Sequence, residues 1–500
     1  MKNANNIFSE FGSALIQEKE DQELESEIKG FHTLDFELSW EQLSAIKKII
    51  KFINNKNISN KDNTDNNKLL LSGKAGTGKT SVISQVIAYL DNHSYDYVVC
   101  APTHKARINL EKLTKTETLT LHQLLLLKPN LEIEQLNIKE LEFQSGLKHN
   151  RKARIPRLVI VDECSMITSD LYEFIDKELV SKRNVKIVFL GDSAQLRGVK
   201  DLEISKVFSL KNKIELTKIY RQKDEAPLLY LLDELRTSPH FGRFKEFKSN
   251  YGSLYNCNNV KDFIIEAGKN FKKAISKEDP YLCRILTYTN KRLNEYNTVL
   301  NKLLFNNNEE YNIGGFLTGY DNFESDDYFG KIYNSLDYII KDVKPYIKPP
   351  SQIFPLELKG FILTLRDFIY EDDIEVFIIS KYIDPEILNS FISLFETTRL
   401  TALKVDKKVN SRLYGALWSK YYKLQQYFAS PIDLYYDGRL IKSATLKPGY
   451  AISTHKSQGS SITNVYIDMK DILRCKDEEE LRQLQYVALS RTKNNIYLLN

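Results

Sequence analysis

The stretch Gly73-Lys74-Ala75-Gly76-Thr77-Gly78-Lys79-Thr80 constrains this chain more than any other. The apolar run Leu69-Leu70-Leu71 precedes it, and a helical pattern from Ser81 to Leu90 follows. Strand, glycine-rich turn and helix start in that order make a phosphate-binding P-loop. Glycines at 73, 76 and 78 let the backbone curl so that N–H groups converge on an anion. The helix N-terminus adds a positive partial charge. Gly73, Ala75, Gly76, Thr77 and Gly78 then wrap the phosphates, Lys79 reaches the β- and γ-phosphates, and the Thr80 hydroxyl is placed to ligate Mg2+.

A chain of 500 residues is too long for one core and suggests roughly three or four domains. With 42% hydrophobic and 27% charged residues it has the make-up of an ordinary globular protein, which sets fibrous and disordered classes aside. No apolar run approaches the ~20 residues of a membrane span, and the N-terminus has no secretory apolar core. Five cysteines lie scattered without CxxC spacing, so neither a zinc site nor a disulfide framework is supported. That usage fits a reducing cytoplasm. A net charge of +5 permits nucleic-acid binding without arguing for it.

Residues 1–37 read as a tail, with the acidic run Glu18 to Glu27 expected to be a solvated helix or disordered. Ser39 is placed to cap a helix carrying Leu43, Ile46, Ile49 and Ile50 on one face. Short apolar strands then alternate with helices at Tyr97-Val98-Val99, Val159-Ile160-Val161 and Ile187-Val188-Phe189. A second set follows at Ile285-Leu286, Ala451-Ile452, Val465-Tyr466-Ile467 and Ile496-Tyr497-Leu498. Continuous β-branched runs separated by helices mark buried parallel sheets. The expected architecture is therefore two α/β domains, 38–210 and 211–320 with 448–500. Insertions fall at about 126–156 in the first and at 321–447 in the second, the latter partly β.

Val159-Ile160-Val161-Asp162-Glu163 is a strand ending in two acids, the Walker B pattern. Asp162 would hold Mg2+ and Glu163 would polarise the attacking water. Gly191-Asp192-Ser193-Ala194-Gln195-Leu196 ends the next strand, where loops of open α/β sheets face the ligand crevice, so Gln195 is a candidate γ-phosphate sensor. Arg221 in Tyr220-Arg221-Gln222 and Arg491 in Ser490-Arg491-Thr492 are candidates to neutralise charge on a transferring phosphoryl group.

Taken with Leu38-Ser39-x-x-Gln42-x-x-Ala45, Ala101-Pro102-Thr103-His104-Lys105-Ala106, Thr120-Leu121-His122, Tyr288-Thr289-Asn290-Lys291 and Thr454-His455-Lys456-Ser457-Gln458-Gly459-Ser460, these motifs keep one order over residues 38–500. The set resembles the superfamily 1 class B DNA helicases, in the RecD-like branch and nearest the phage Dda type. The resemblance implies two RecA-like P-loop domains with ATP and Mg2+ in a cleft between them. Gln42 would contact the adenine, Gly459 would join the nucleotide set, and Arg221 and Arg491 would reach in from the second domain.

It further implies single-stranded DNA on the face opposite the nucleotide. Pro102, Thr103, His104, Lys105 and His122 would contact it from the first domain, and Asn290, Lys291, Thr454, His455 and Lys456 from the second. Hydroxyl, amide and lysine contacts to phosphates carry no sequence preference. Phe143, in the first insertion, would be the wedge that stacks on the last base pair of a duplex junction. The second insertion would correspond to a small SH3-like barrel. Also implied are 5′-to-3′ translocation, a monomer, and single-strand-binding or replication proteins as partners, while the sequence ending at its last strand is read as an expectation of no C-terminal partner-binding module. One departure is Arg197-Gly198 after Leu196, where the family continues with prolines. An RNA helicase of the same class, a non-catalytic nucleotide-regulated clamp and a protein remodeller are the alternatives. Glu163, Gln195, Arg221 and Arg491 together argue against the clamp.

Overall fold

The computed structural model describes residues 22–31, 37–55, 64–125, 127–128, 144–145, 156–198, 203–218, 227–250, 252–324, 331–368, 372–406, 409–441 and 444–500. The chain divides into two compact units, Met1–Leu126 with Gly146–Leu229, and Leu127–Ser145 with Tyr230–Asn500.

The first unit is built on six parallel strands: Lys68–Gly73 (β1), Tyr97–Ala101 (β2), Thr118–Thr120 (β3), Leu158–Val161 (β4), Lys186–Gly191 (β5) and Lys213–Leu216 (β6). Their order is β3-β2-β4-β5-β1-β6. Parallel strands of one sheet all point the same way, so the loops after β1, β2, β3, β4 and β5 leave one edge together. β5 lies between β1 and β4, which brings the P-loop, Asp162-Glu163 and Gly191–Leu196 side by side.

Trp40–Asn54 (α1) begins with a capping box in which Ser39 and Gln42 exchange side-chain and backbone hydrogen bonds. Its stripe of Ile46, Ile49, Ile50 and Ile53 is buried against Lys79–Asn92 (α2) and the strands. Lys186 closes the other end, its ammonium donating to the carbonyls of Phe52, Ile53 and Asn55 at 2.9, 2.7 and 2.6 Å.

Two expectations about this unit change. Residues 22–30 form a helix that is not solvated all round: Leu24, Ile28 and Phe31 share the core with α1, and Glu25 pairs with Lys47 at 2.5 Å. The first unit also runs past residue 210, because β6 pairs with β1 from Leu70↔Lys213 to Gly73↔Leu216. Arg221 therefore falls in the chain span of this unit and not in the second; it lies outside the described residues, as does Phe143. Of the insertion expected in the first domain, Leu127–Lys128 and Gln144–Ser145 pair antiparallel, and this span falls in the second unit.

The second unit holds ten main strands: Ser253–Cys257 (β7), Cys283–Thr287 (β8), Phe316–Gly319 (β9), Asp337–Lys348 (β10), Leu358–Asp367 (β11), Asp373–Ile379 (β12), Leu446–Pro448 (β13), Ala451–Ser453 (β14), Ile462–Asp468 (β15) and Thr492–Leu499 (β16). Five of them form a parallel sheet, β14-β8-β15-β16-β7. Its core is aromatic, with Phe263, Phe271, Tyr296, Tyr450 and Tyr466 buried and Tyr466 stacked on Tyr497 at 4.5 Å.

The other five form the inserted antiparallel sheet, β12-β11-β10-β9-β13. It starts at Phe316 and ends at Pro448, slightly wider than the expected 321–447. Residues 429–430 bridge its two outer strands: Ala429 donates to Phe377, Ile379 to Ala429, Ser430 to Ala444 and Leu446 to Ser430. The hydrogen-bonded ring thus closes on itself. Pro385–Lys404 (α3) and Ser411–Gln425 (α4) pack on this sheet through Phe391, Phe395, Trp418 and Tyr421, so Trp418 is a core residue.

Candidate nucleotide site and nucleic-acid interface

Gly76 and Gly78 take φ of 86° and 83°, the left-handed region in which a side chain is strained. The turn they allow carries the chain from β1 into α2. Lys79 Nζ donates to the carbonyls of Gly73 at 2.6 Å and Lys74 at 3.1 Å, so its ammonium is held over the loop. Gln42, 1% exposed, supports the loop from behind: its Nε2 donates to Thr77 O at 3.2 Å while its Oε1 accepts from Ser39 N at 3.0 Å. Both polar atoms of Gln42 are thereby engaged, and the structure places it as a strut under the P-loop.

Glu163 has φ of 52°, rare for a residue with a side chain and typical of strained functional positions. Its N–H donates to Asp162 Oδ1 at 2.8 Å. Burial pushes the Asp162 carboxyl up, opposed by that N–H and by the Lys79 charge. A half-buried carboxylate near a lysine charge, with one strand between it and the Thr80 turn, suits a hydrated divalent cation. Gln195 is buried behind a turn in which Asp192 accepts from Ala194 N at 3.1 Å and from Gln195 N through its carbonyl at 3.1 Å.

Glu41 was not expected. Its carboxylate accepts from Thr217 N at 2.8 Å, Thr217 Oγ1 at 2.8 Å and Lys218 N at 3.1 Å, fixing the exit of β6. Burial raises its pKa and those donors more than reverse the effect, leaving the carboxyl below the usual range. Its neighbour Gln42 was the only local signal for it.

Of the residues expected to meet DNA from the first unit, Pro102, Thr103 and His104 are half-buried and His122 is exposed. All leave the same edge of the sheet as the P-loop, at its β2–β3 end, so the separation from the nucleotide motifs is lateral. Thr103 caps His104–Thr114 (the helix after β2) by accepting from Ala106 N at 3.2 Å. Burial, with the Arg107 and His122 charges, pushes His104 down to about 4. Lys105 is only 2% exposed, because the first turn of that helix points it inward, and it does not present its ammonium to solvent.

In the second unit Asn290 and Lys291 are exposed at the start of Asn290–Phe305, after β8. Asp471 orders this turn, accepting from Tyr288 N, Thr289 N and Thr289 Oγ1 at 2.9, 2.8 and 2.8 Å. Thr454 is fully buried and bonds to Thr287 O from both N and Oγ1, so its hydroxyl faces the sheet. His455 and Lys456 follow it at the same edge. Gly459 (φ 75°) and Arg491 precede β15 and β16, at the opposite edge. Arg491, 6% exposed, donates to Val487 O, Ser460 O and Ser490 Oγ. The second sheet thus carries the residues expected at the nucleotide on one edge and those expected to meet DNA on the other.

Two family models match, an AAA domain over residues 62–239 and a UvrD-like helicase C-terminal domain over 448–499. The chain is 24% identical over 452 residues to the ATP-dependent DNA helicase dda of Enterobacteria phage T4, covering 85% of this chain and 93% of that protein. It is 23% identical over 511 residues to the uncharacterized protein R530 of Acanthamoeba polyphaga mimivirus, covering 91% and 98%. The crystal structure of Pif1 helicase from Candida albicans aligns over 93% of this chain and 94% of its own, at 18% identity and a TM-score of 0.48. No described helix is long and apolar enough to cross a membrane.

Proposed function

We propose that this chain, which belongs with the superfamily 1 class B helicases related to the Dda and RecD types, is an ATP-dependent DNA helicase that moves 5′ to 3′ on single-stranded DNA and unwinds duplexes ahead of it. The observation that carries the chemistry is the β4-β5-β1 order, which sets Lys79, Asp162, Glu163 and Gln195 on neighbouring loops of one sheet edge. Lys79 holds the terminal phosphates, Glu163 accepts the proton of the attacking water, and Gln195 orients that water. Thr80 and Asp162 would hold Mg2+, whose charge offsets that of the phosphates. Arg221 and Arg491 add positive charge as the γ-phosphoryl group leaves.

The DNA face is assigned to Pro102, Thr103, His104 and His122 in the first unit and to Asn290, Lys291 and His455 in the second. Hydroxyls, amides and cations of this kind grip the backbone without reading sequence. Phe143 is the junction wedge. The closed ring of the inserted sheet is the closure that a small SH3-like barrel requires. Action in the cytoplasm as a monomer, alongside single-strand-binding or replication proteins, completes the proposal.

Unwinding of 5′-tailed and 3′-tailed duplexes in ATP and Mg2+ tests activity, substrate and polarity together, with Lys79→Ala as control. Wild-type protein is expected to open only the 5′-tailed duplex, and the variant to bind the tail without hydrolysing ATP. Preference for the 3′ tail, or stimulation of hydrolysis by RNA alone, would overturn the assignment.

A further inference from the structure

The turn Thr454-His455-Lys456 sends its three side chains to three different elements of the second unit. Thr454 bonds to Thr287 at the end of β8. His455 Nε2 lies 3.4 Å from Glu480 Oε1, in the first turn of Glu478–Ser490, the helix that runs up to Arg491. Lys456 leaves the parallel sheet altogether. Its Nζ is 2.7 Å from Asn334 Oδ1, 3.1 Å from Gly319 O, 3.2 Å from Ser335 Oγ and 4.1 Å from the centre of the Tyr320 ring. These groups end β9 or lead into β10, so all belong to the inserted sheet.

An ammonium has three N–H donors, and the inserted sheet supplies an acceptor for each. The Tyr320 face adds a cation–π contact that gains strength from burial. Lys447 of β13 stands 4.8 Å from the same ring and 2.7 Å from Asp433, so the ring is shared by two cations, of which Lys447 has its own counter-charge. A DNA phosphate would have to compete for donors that are already committed.

We propose that Lys456 is a positioning residue that ties this turn to the inserted sheet, in place of the DNA contact its motif suggests. Movement of the inserted sheet is then passed to β8 and its exposed Asn290 and Lys291, and through His455 and Glu480 to the helix that precedes Arg491. The inference rests on the helicase reading of the chain.

Three measurements on the full-length protein test it. Lys456→Met keeps the stem and removes the donors; Asn334→Ala with Ser335→Ala removes two acceptors and leaves Lys456 in place. Both variants are expected to speed hydrogen exchange across 454–458 and to slow duplex unwinding about tenfold, the worth of one charge-assisted hydrogen bond. Lys456→Met combined with Asn334→Ala and Ser335→Ala should be no worse than either variant alone. The salt slope of single-strand binding should stay at the wild-type value in Lys456→Met. A slope smaller by about 0.7, the signature of one lost phosphate contact on a single strand, with unchanged exchange, would overturn the tether. If the wild-type protein fails to unwind, the helicase reading fails, and the exchange data alone decide the tether.

Discussion

Gly78→Ala probes whether the P-loop and the first turn of α1 are one mechanical element. Gly78 sits at φ +83°, and a methyl group there would lie 2.3 Å from Gln42 Nε2. The left-handed backbone costs a residue with a Cβ about 1–2 kcal/mol. Gln42 is 1% exposed and cannot swing into solvent, so relief of the clash means giving up its bond to Thr77 O. A neutral hydrogen bond is worth about 1 kcal/mol. The sum is about 2–3 kcal/mol, or roughly 4–12 °C in the melting of a unit of this size. Calorimetry on the first unit's transition reads it. Gln42→Ala removes the clashing amide, so Gly78→Ala should cost about 1 kcal/mol less in that background than in wild type. Additivity within about 0.3 kcal/mol would refute the reasoning, because it would mean that loop and strut move independently.

The remaining expectations are shorter. Glu163→Gln should lower ATP hydrolysis by about 10²–10⁴-fold, the range for loss of a general base, with nucleotide affinity kept; an unaffected rate would remove Glu163 from the chemistry. His104 has its pKa lowered to about 4, so the native state binds fewer protons than the unfolded state below the ordinary value of 6.5. Stability should therefore fall as pH drops from 6.5 towards 4, by no more than about 3 kcal/mol from this group and less for its partial exposure. His104→Asn should flatten that part of a denaturation profile, and an unchanged slope would contradict it. Phe143→Ala should slow unwinding more than translocation on single strands, and equal losses in both assays would end its role as a wedge.

How far the sequence could be read depended on whether the relevant partners are local. The P-loop, Asp162-Glu163 and Gln195 announce themselves because each follows a strand within a few residues, and strand ends in a parallel sheet share one edge. Residue type without direction misled at Lys105 and Thr454: both belong to plausible DNA-binding motifs, yet both point into their own unit. Asp471 gave no signal, since the turn it orders is more than a hundred residues away. The helix at 22–30 was hidden by its acids, with only Leu24, Ile28 and Phe31 to mark a buried face. The first unit was ended too early because β6, Lys213-Ile214-Glu215-Leu216, is an edge strand with polar positions and lacks the apolar run of a central one. Closure of the inserted sheet by two residues at 429–430 has no pattern to read at all.

Arg491 shows how the two edges of the second sheet can communicate. Its guanidinium donates to Val487 O at 3.1 Å, Ser490 Oγ at 2.9 Å and Ser460 O at 3.4 Å, all neutral acceptors. These bonds are already strengthened by the guanidinium charge, and an anionic acceptor adds charge attraction and bidentate geometry to it. A phosphate offering two oxygens would therefore be a stronger partner for this guanidinium than these backbone and hydroxyl oxygens. The longest of the three bonds is the one to Ser460, and it would break first. Ser460 adjoins Gly459, whose φ of 75° sets the turn that connects back to Thr454, His455 and Lys456. If Arg491 takes up a phosphate as proposed, the loop that would lose its bond to Ser460 is held at its other end by Thr287, Glu480 and the inserted sheet. On the helicase reading, this loop is a covalent link between the edge that holds Arg491 and the edge that presents Asn290 and Lys291.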